Sequence, residues 1–221
     1  MSKNFGKYTI SKLSKRFIPE AASVLTNAFM NEPTTKAMGY SQFIVKHCLK
    51  REIEGGIVYA ARMNDNNEIA GVLLCEDYSH PDNVSYFAKF GLKTKISDWV
   101  FPMHQILDDL NLDYMKQKIE VERLKCARIS ELGVLDKYQR MGISINLMEF
   151  GEKDLKETYG FNLAWAEATN IKSERMLAEK LGYKTQRIID YRTWRNRIAF
   201  GWNPFKSIPK EHNLVLMDKE L

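Results

Sequence analysis

A strand, an amphipathic helix and a second strand follow one another between residues 127 and 168, with only short turns between them. Residues 127–135 and 162–168 have the apolar content of buried strands, and residues 142–159 repeat apolar side chains at helical spacing. A chain that alternates strands and helices packs the helices against the faces of a sheet. The segment therefore predicts a mixed α/β sheet with helices on both faces.

The rest of the chain extends this pattern at both ends. The strand 57–63, the turn Asn64-Asp65-Asn66-Asn67 and the return strand 68–77 predict a hairpin, because Asn and Asp tolerate left-handed backbone. The first long helix should end before Pro33. The same periodicities predict a strand over 8–13, a helix over 17–29 and a second helix from residue 43 that ends at Gly55-Gly56. They also predict a helix over 170–181 closed by Gly182, and strands over 183–194 and 213–219.

Residues 79–116 interrupt the pattern, because Pro81, Gly91 and Pro102 separate short helical candidates. The length of 221 residues suits one large domain, so we expect a single domain over 1–221 with a helical insertion at about 79–116. The insertion could bind an aromatic amine through ring contacts and opposite charge. Alternatively, it could be a helical lid whose rings pack inward while its acidic side chains are solvated. Its rings and acids are Tyr86, Phe87, Phe90, Trp99, Phe101, Tyr114, Asp98, Asp108, Asp109 and Asp113.

Composition excludes several functional classes. Lysine and arginine number 33 against 28 acids, a net charge of +5, and no block of five basic residues suggests a nucleic-acid-binding arm. The cysteines are isolated and the histidines lack metal-ligand spacing, so we expect no metal site. No apolar run of about 18 residues and no secretory signal occur, which leads us to expect a cytoplasmic protein without membrane contact. The cysteines are Cys48, Cys75 and Cys126, and the histidines are His47, His80, His104 and His212.

The most informative stretch runs from Glu131 to Ser144, where a strand passes through a basic turn into a helix. The first turn of a helix has unpaired amide N–H groups and partial positive charge, so it can bind phosphate oxygens. Gly142 leaves the backbone approachable, and Ser144, Gln139, Arg140 and Lys137 could add polar partners. An ordinary capped helix start is the alternative. The motifs of nucleoside triphosphate loops and of dinucleotide-binding folds are absent.

Four local stretches resemble those of one enzyme superfamily. The string Gln139-Arg140-Met141-Gly142-Ile143-Ser144 resembles the Q/R-x-x-G-x-G/A signature of the GNAT acetyltransferases, with Ser144 in place of Gly or Ala. Lys180-Leu181-Gly182-Tyr183 is similar to their K-L-G-F/Y helix ending. Phe29-Met30-Asn31-Glu32-Pro33 resembles the F-x-x-E-P segment of the arylalkylamine (dopamine-type) N-acetyltransferases, and residues 214–219 are similar to their closing strand.

This resemblance implies a fold, a cofactor and a cofactor site. The fold class would be α/β (α+β): a GNAT-like mixed, mostly antiparallel sheet of about seven strands, flanked by helices and carrying the helical insertion. The cofactor would be acetyl-CoA. Its pantetheine would pair with the backbone of Leu132, Gly133 and Val134, and its pyrophosphate would lie on Gln139, Arg140, Met141, Gly142, Ile143 and Ser144.

Acetyl transfer also needs a base, because an alkylammonium with a pKa of about 10.4 is protonated at pH 7. Glu32 is the candidate, acting directly or through a water; the alternative is a solvated residue at a helix end. Ser173 could donate to the departing sulfur, or it could support the helix start. Asn170 could bond the pantetheine or act as an N-cap. Many members of the superfamily carry a tyrosine acid where this chain has Ala178, which disfavours a tyrosine mechanism here.

These observations favour an acetyl-CoA-dependent N-acetyltransferase that acts on the primary amine of a small molecule, above all an arylalkylamine, by direct attack in a ternary complex. Two alternatives stay open: a lysine or protein N-terminal acetyltransferase, and a non-catalytic acyl-CoA-binding module. The expected partner is a small-molecule amine and not a nucleic acid. The sequence does not determine the oligomeric state, the acceptor or the acyl-chain selectivity.

Overall fold

The computed structural model describes residues 2–79, 102–197 and 201–221. Its strands are β1 (Ser2–Asn4), β2 (Tyr8–Lys12), β3 (Ile57–Met63), β4 (Ile69–Asp77), β5 (Cys126–Val134), β6 (Leu163–Ala168), β7 (Lys184–Ile189) and β8 (Leu214–Glu220). Its α-helices are α1 (Ile18–Phe29), α2 (Pro33–Met38), α3 (Gln42–Gly55), α4 (Pro102–Lys116), α5 (Ile143–Glu157) and α6 (Ile171–Arg175). None of the described helices has the length and apolar content that crossing a membrane would require.

Contacts divide the chain into two compact units, one formed by residues 1–76, 128–161 and 221, the other by residues 77–127 and 162–220. The single domain expected from the sequence stays a prediction. Most of the expected insertion lies outside the described residues, and so do His80, Tyr86, Phe87, Phe90, Asp98, Trp99 and Phe101.

In the first unit the strand order is β1-β2-β3-β4-β5. The predicted hairpin is confirmed: β3 and β4 pair antiparallel with Val58 opposite Leu74, and Asn67 in the turn has a left-handed φ of 58°. The β1–β2 and β2–β3 pairings are antiparallel as well. The fold class predicted from the sequence, α/β (α+β) with mostly antiparallel strands and flanking helices, is therefore confirmed, although eight strands are described where about seven were expected.

Alternate residues of β4 face different helices of this unit. Val72 and Leu74 belong to a core cluster with buried residues of α1 and α3, such as Leu25. Gly71 faces the other way: a Cβ there would lie 2.8 Å from Ile143 Cγ2 and 3.2 Å from Leu147 Cδ1, both on α5. Because successive residues of a strand point to opposite faces, α5 lies on the face opposite α1 and α3. The predicted arrangement with helices on both faces holds within this unit.

In the second unit β8 lies between β6 and β7 and pairs antiparallel with both. Its residues from Leu214 to Asp218 are buried, as a central strand requires. Helix α4 is bonded to neighbouring segments by polar side chains: Asp109 accepts from Trp194 Nε1 at 2.8 Å and from Arg197, and Asn111 Nδ2 donates to Glu167 at 2.5 Å. The carboxylate of Asp109 is thus occupied by contacts within the fold.

Besides the unpredicted strand β1, three further segments differ from the predicted elements. Helix α2 was not predicted, because Pro33 indicated a stop; proline fits the first position of a helix, where its missing N–H is not needed. The helix predicted over 170–181 is α-helical only over Ile171–Arg175 and continues as a π-helix over Met176–Lys180. The strand predicted over 183–194 ends at Ile189, since Asp190 accepts the Arg192 amide at 2.9 Å and turns the chain.

Candidate functional site

The turn between β5 and α5 has a left-handed backbone at two of its residues. Arg140 has a φ of 64° and Gly142 a φ of 76°, and Gly142 is the N-cap of α5. No side chain caps this end of the helix, and its first intrahelical bond runs from Asn146 N to Gly142 O at 3.0 Å. The amides of Ile143, Ser144 and Ile145 therefore have no helix carbonyl to bond. We call residues 139–144 the phosphate turn.

The surface over Gly142 is open. A Cβ built there would meet only Asn146 Nδ2, at 3.8 Å, among the described atoms. The uncapped amides, the partial positive charge of a 15-residue helix and the exposed Arg140 suit an anionic ligand such as a diphosphate. The alternative of an ordinary capped helix start is disfavoured, because α5 lacks the side-chain cap that such a start would show.

Two of the predicted polar partners are occupied by neighbouring side chains. Gln139 Nε2 donates to Asp136 Oδ1 at 2.7 Å. Lys137 Nζ lies 2.6 Å from Glu68 Oε2, which also accepts from the Tyr138 hydroxyl at 2.7 Å. The hydrogen bonds from Lys137 and Tyr138 hold the pKa of the Glu68 carboxyl below its usual range. The predicted anion site would therefore consist mainly of backbone amides.

A cavity of about 710 Å³ opens within the first unit, at residues 134–137, which precede the phosphate turn. It brings together the end of β5, the end of α1 and the chain that follows α1. Met30 and Asn31, which immediately precede Glu32, line it together with Val134 of the predicted pantetheine strand. The remaining lining residues are Asn27, Ala28, Gln42, Glu68, Leu135, Asp136 and Lys137.

Glu32 is half-buried at the N-cap position of α2. Its backbone N–H donates to Phe29 O at 3.0 Å and its carbonyl accepts from Lys36 N at 3.1 Å. Its side chain does not cap α2, so the carboxylate is not needed to begin the helix. Its role as a base stays a prediction.

Gly133 has a packing role that the sequence did not reveal. A Cβ at this position would lie 2.9 Å from both Ala28 Cβ and Leu25 Cδ2, so the glycine allows α1 to cross β5 closely. Leu132 and Val134 are half-buried on either side of it. The pairing of pantetheine with Leu132, Gly133 and Val134 stays a prediction.

Asn170 and Ser173, in the second unit, form a capping box. Asn170 Oδ1 accepts from Lys172 N at 2.9 Å and from Ser173 N at 3.0 Å. The Ser173 hydroxyl donates to Asn170 O at 2.9 Å and accepts from Asn170 N at 3.4 Å. The interpretation of both residues as helix-start residues is confirmed. Their roles toward pantetheine and sulfur stay predictions, and Ala178 lies exposed in the π-helical segment.

Sequence reasoning missed several residues around these elements. Tyr8 of β2 donates its hydroxyl hydrogen to Met141 O at 3.4 Å and accepts from Asn146 Nδ2 at 2.6 Å. In the second unit, His212 Nδ1 accepts the Ile171 amide at 3.2 Å. The residues joined by these contacts are far apart in the sequence, so no local pattern could have indicated them.

No family model matches this chain, and no curated protein matches it. Solved structures do. Arylalkylamine N-acetyltransferase 2 from Aedes aegypti is 21% identical, with a TM-score of 0.78 over 96% of this chain and 98% of that one. A polyamine N-acetyltransferase of Drosophila melanogaster, which forms N-acetylagmatine, is 15% identical, with a TM-score of 0.73 over 97% and 100%.

A third similar structure is the NatC complex bound to Gag peptide and CoA, which is 15% identical with a TM-score of 0.54 over 97% of this chain and 99% of that one. At these identities the likeness concerns the fold. The resemblance inferred from the phosphate turn is confirmed at that level. The chain has the fold of the GNAT N-acetyltransferases.

Proposed function

We propose that this protein is an acetyl-CoA-dependent N-acetyltransferase whose acceptor is the primary amine of a small molecule, with arylalkylamines as the acceptor class. One observation supports this most strongly: α5 begins without a side-chain cap behind a left-handed, open Gly142. That geometry occurs where the sequence resembles the coenzyme signature, in a chain with the GNAT fold.

Acetyl-CoA would supply an acyl thioester, which an amine can attack directly. The chain's own part is to bind and orient it. The amides of Gly142, Ile143 and Ser144 would donate to diphosphate oxygens, and Arg140 would add charge. The backbone of Leu132–Val134 would align the pantetheine along β5, close to the cavity that Val134 lines.

The acceptor must lose a proton before it attacks. Glu32 would accept that proton, directly or through a water, because it follows the cavity-lining residues Met30 and Asn31. As the new C–N bond forms and the C–S bond breaks, the leaving sulfur takes up a proton. Ser173 is the candidate donor, but its hydroxyl already serves the capping box, so a water is an equally suitable source.

The acceptor class rests on the neighbours in fold. Those most similar in TM-score among the structures described above are named for arylalkylamines or polyamines, and the peptide-bound neighbour is less similar. A small amine is therefore favoured over a lysine side chain or a protein N-terminus.

The test is thiol release from acetyl-CoA, measured against arylalkylamines, polyamines and lysine-containing or N-terminal peptides. We expect turnover with small amines, and with arylalkylamines above the others. Turnover on peptides alone would identify a protein acetyltransferase. Coenzyme binding without turnover on any acceptor would identify an acyl-CoA-binding module, and absence of coenzyme binding would refute the proposal.

A further inference from the structure

We infer that Tyr8 is a positioning residue for the coenzyme's diphosphate, because its hydroxyl holds the phosphate turn in the shape that binds it. The inference rests on the proposed function, since it assumes that the turn binds CoA. Tyr8 itself would not contact the coenzyme; it acts through Met141 and Asn146.

The contacts of Tyr8 join the phosphate turn to the sheet. Tyr8 is only 3% exposed, and its ring is stacked on Phe5 with the ring centres 5.4 Å apart. Its hydroxyl donates to Met141 O at 3.4 Å and accepts from Asn146 Nδ2 at 2.6 Å. One buried hydroxyl thus contacts the turn and the first turn of α5 together.

Met141 is the residue whose carbonyl most needs such support. It lies between Arg140 and Gly142, both of which have left-handed backbone. A left-handed conformation costs a residue other than glycine about 1–2 kcal/mol, so the free turn would gain by relaxing at Arg140. A fixed Met141 carbonyl opposes that relaxation and keeps the next amides available to an anion. If the turn is already ordered before the ligand binds, less of the binding free energy is lost in ordering it.

Tyr138, which immediately precedes the turn, is bonded in a similar way. The Tyr138 hydroxyl donates to Glu68 at 2.7 Å and accepts from Asn66 Nδ2 at 3.1 Å, and both partners belong to the β3–β4 hairpin. Two tyrosine hydroxyls therefore bond residue 138 to the turn between β3 and β4, and residue 141 to β2. The chain is therefore fixed just before the phosphate turn, at residue 138, and within it, at residue 141.

The test compares Tyr8→Phe with the wild-type chain by isothermal titration calorimetry, using CoA and pantetheine as ligands. Pantetheine lacks the diphosphate, so it does not use the turn. We expect the dissociation constant of CoA to rise about tenfold in the variant, which is the loss of roughly one hydrogen bond to the turn, and that of pantetheine to change less than about twofold.

Tyr59→Phe is the matched control. The Tyr59 hydroxyl is also buried and also bonds α5, donating to Asp154 Oδ2 at 2.8 Å, but Asp154 lies far along the helix from the turn. This variant should lose thermal stability and keep the wild-type ratio of the two affinities. Equal weakening of CoA and pantetheine in Tyr8→Phe, or the same change of ratio in Tyr59→Phe, would overturn the inference. A wild-type chain that binds no CoA would instead overturn the proposed function.

Discussion

At the scale of single residues, Gly142 combines a backbone requirement with an open surface. Its φ of 76° favours glycine, and a Cβ there would point into nearly empty space. We predict that Gly142→Val weakens CoA binding at least tenfold, because the branched side chain would cover the amides of the phosphate turn. Calorimetric titration with CoA measures this.

Gly160→Val is the control for backbone strain at Gly142. Gly160 has a φ of 70° and an equally open surface, and it lies just beyond the other end of α5. Both variants should lose about 1–2 kcal/mol of stability. A Gly142→Val protein with wild-type affinity for CoA, or a Gly160→Val protein that binds CoA equally poorly, would show that the turn is not a backbone anion site.

Glu32 is the residue proposed as the base. We predict that Glu32→Gln lowers kcat about 10²- to 10⁴-fold and moves the alkaline optimum upward, because the amine must then lose its proton without a positioned base. The affinity for CoA should stay near the wild-type value. Steady-state kinetics across pH measure the first effect, and unchanged profiles would exclude Glu32 as the base.

At the scale of elements, the close approach of α1 to β5 depends on Gly133. We predict that Gly133→Ala destabilises the protein by about 1–3 kcal/mol, because the added Cβ would lie 2.9 Å from Ala28 Cβ, which cannot rotate away. Chemical denaturation measures the loss. Gly55→Ala, where a Cβ meets nothing within 4 Å at the end of α3, should be neutral or stabilising. Equal stability of the two variants would contradict this packing account.

Helix α4 should make stability depend on pH through His104. Burial lowers the pKa of His104 to about 4, whereas the unfolded chain titrates near 6.5. Between these values the unfolded state binds more protons, so the free energy of unfolding falls as the pH decreases. We predict that, between pH 7 and pH 5, the free energy of unfolding falls by about 2 kcal/mol less in His104→Gln than in the wild-type chain. Urea denaturation at the two pH values tests this, and an unchanged difference would contradict it.

Sequence patterns were sufficient to predict some of the helices and strands but not others. Strong periodicity predicted α1, α3, α5 and the β3–β4 hairpin within one or two residues. The π-helix over Met176–Lys180 was not predictable, because side-chain periodicity over five residues does not separate it from an α-helix. The end of β7 at Ile189 depends on the side chain of Asp190. The apolar residues that follow Asp190 led the sequence pattern to predict a longer strand.

At the scale of the whole molecule, the sequence predicted the fold class, which the structure confirms. It also indicated an anion site at residues 139–144, which stays a prediction; both inferences depend on local signals. It did not predict the contacts that shape the turn. Tyr8 and Met141 are separated by 133 positions, and Tyr138 and Glu68 by 70. The chain brings these groups together only once the strands of the first unit are paired. A local motif therefore indicates where an anion could bind, whereas the Tyr8 contacts with residues 141 and 146 depend on the whole fold of the first unit.

The most direct test of this account is a crystal structure of the protein with bound CoA. We expect diphosphate oxygens within hydrogen-bonding distance of the amides of Gly142, Ile143 and Ser144, with the pantetheine running along β5 toward Val134. A diphosphate bound elsewhere on the chain, or a phosphate turn whose amides are covered by its own side chains in the complex, would contradict it.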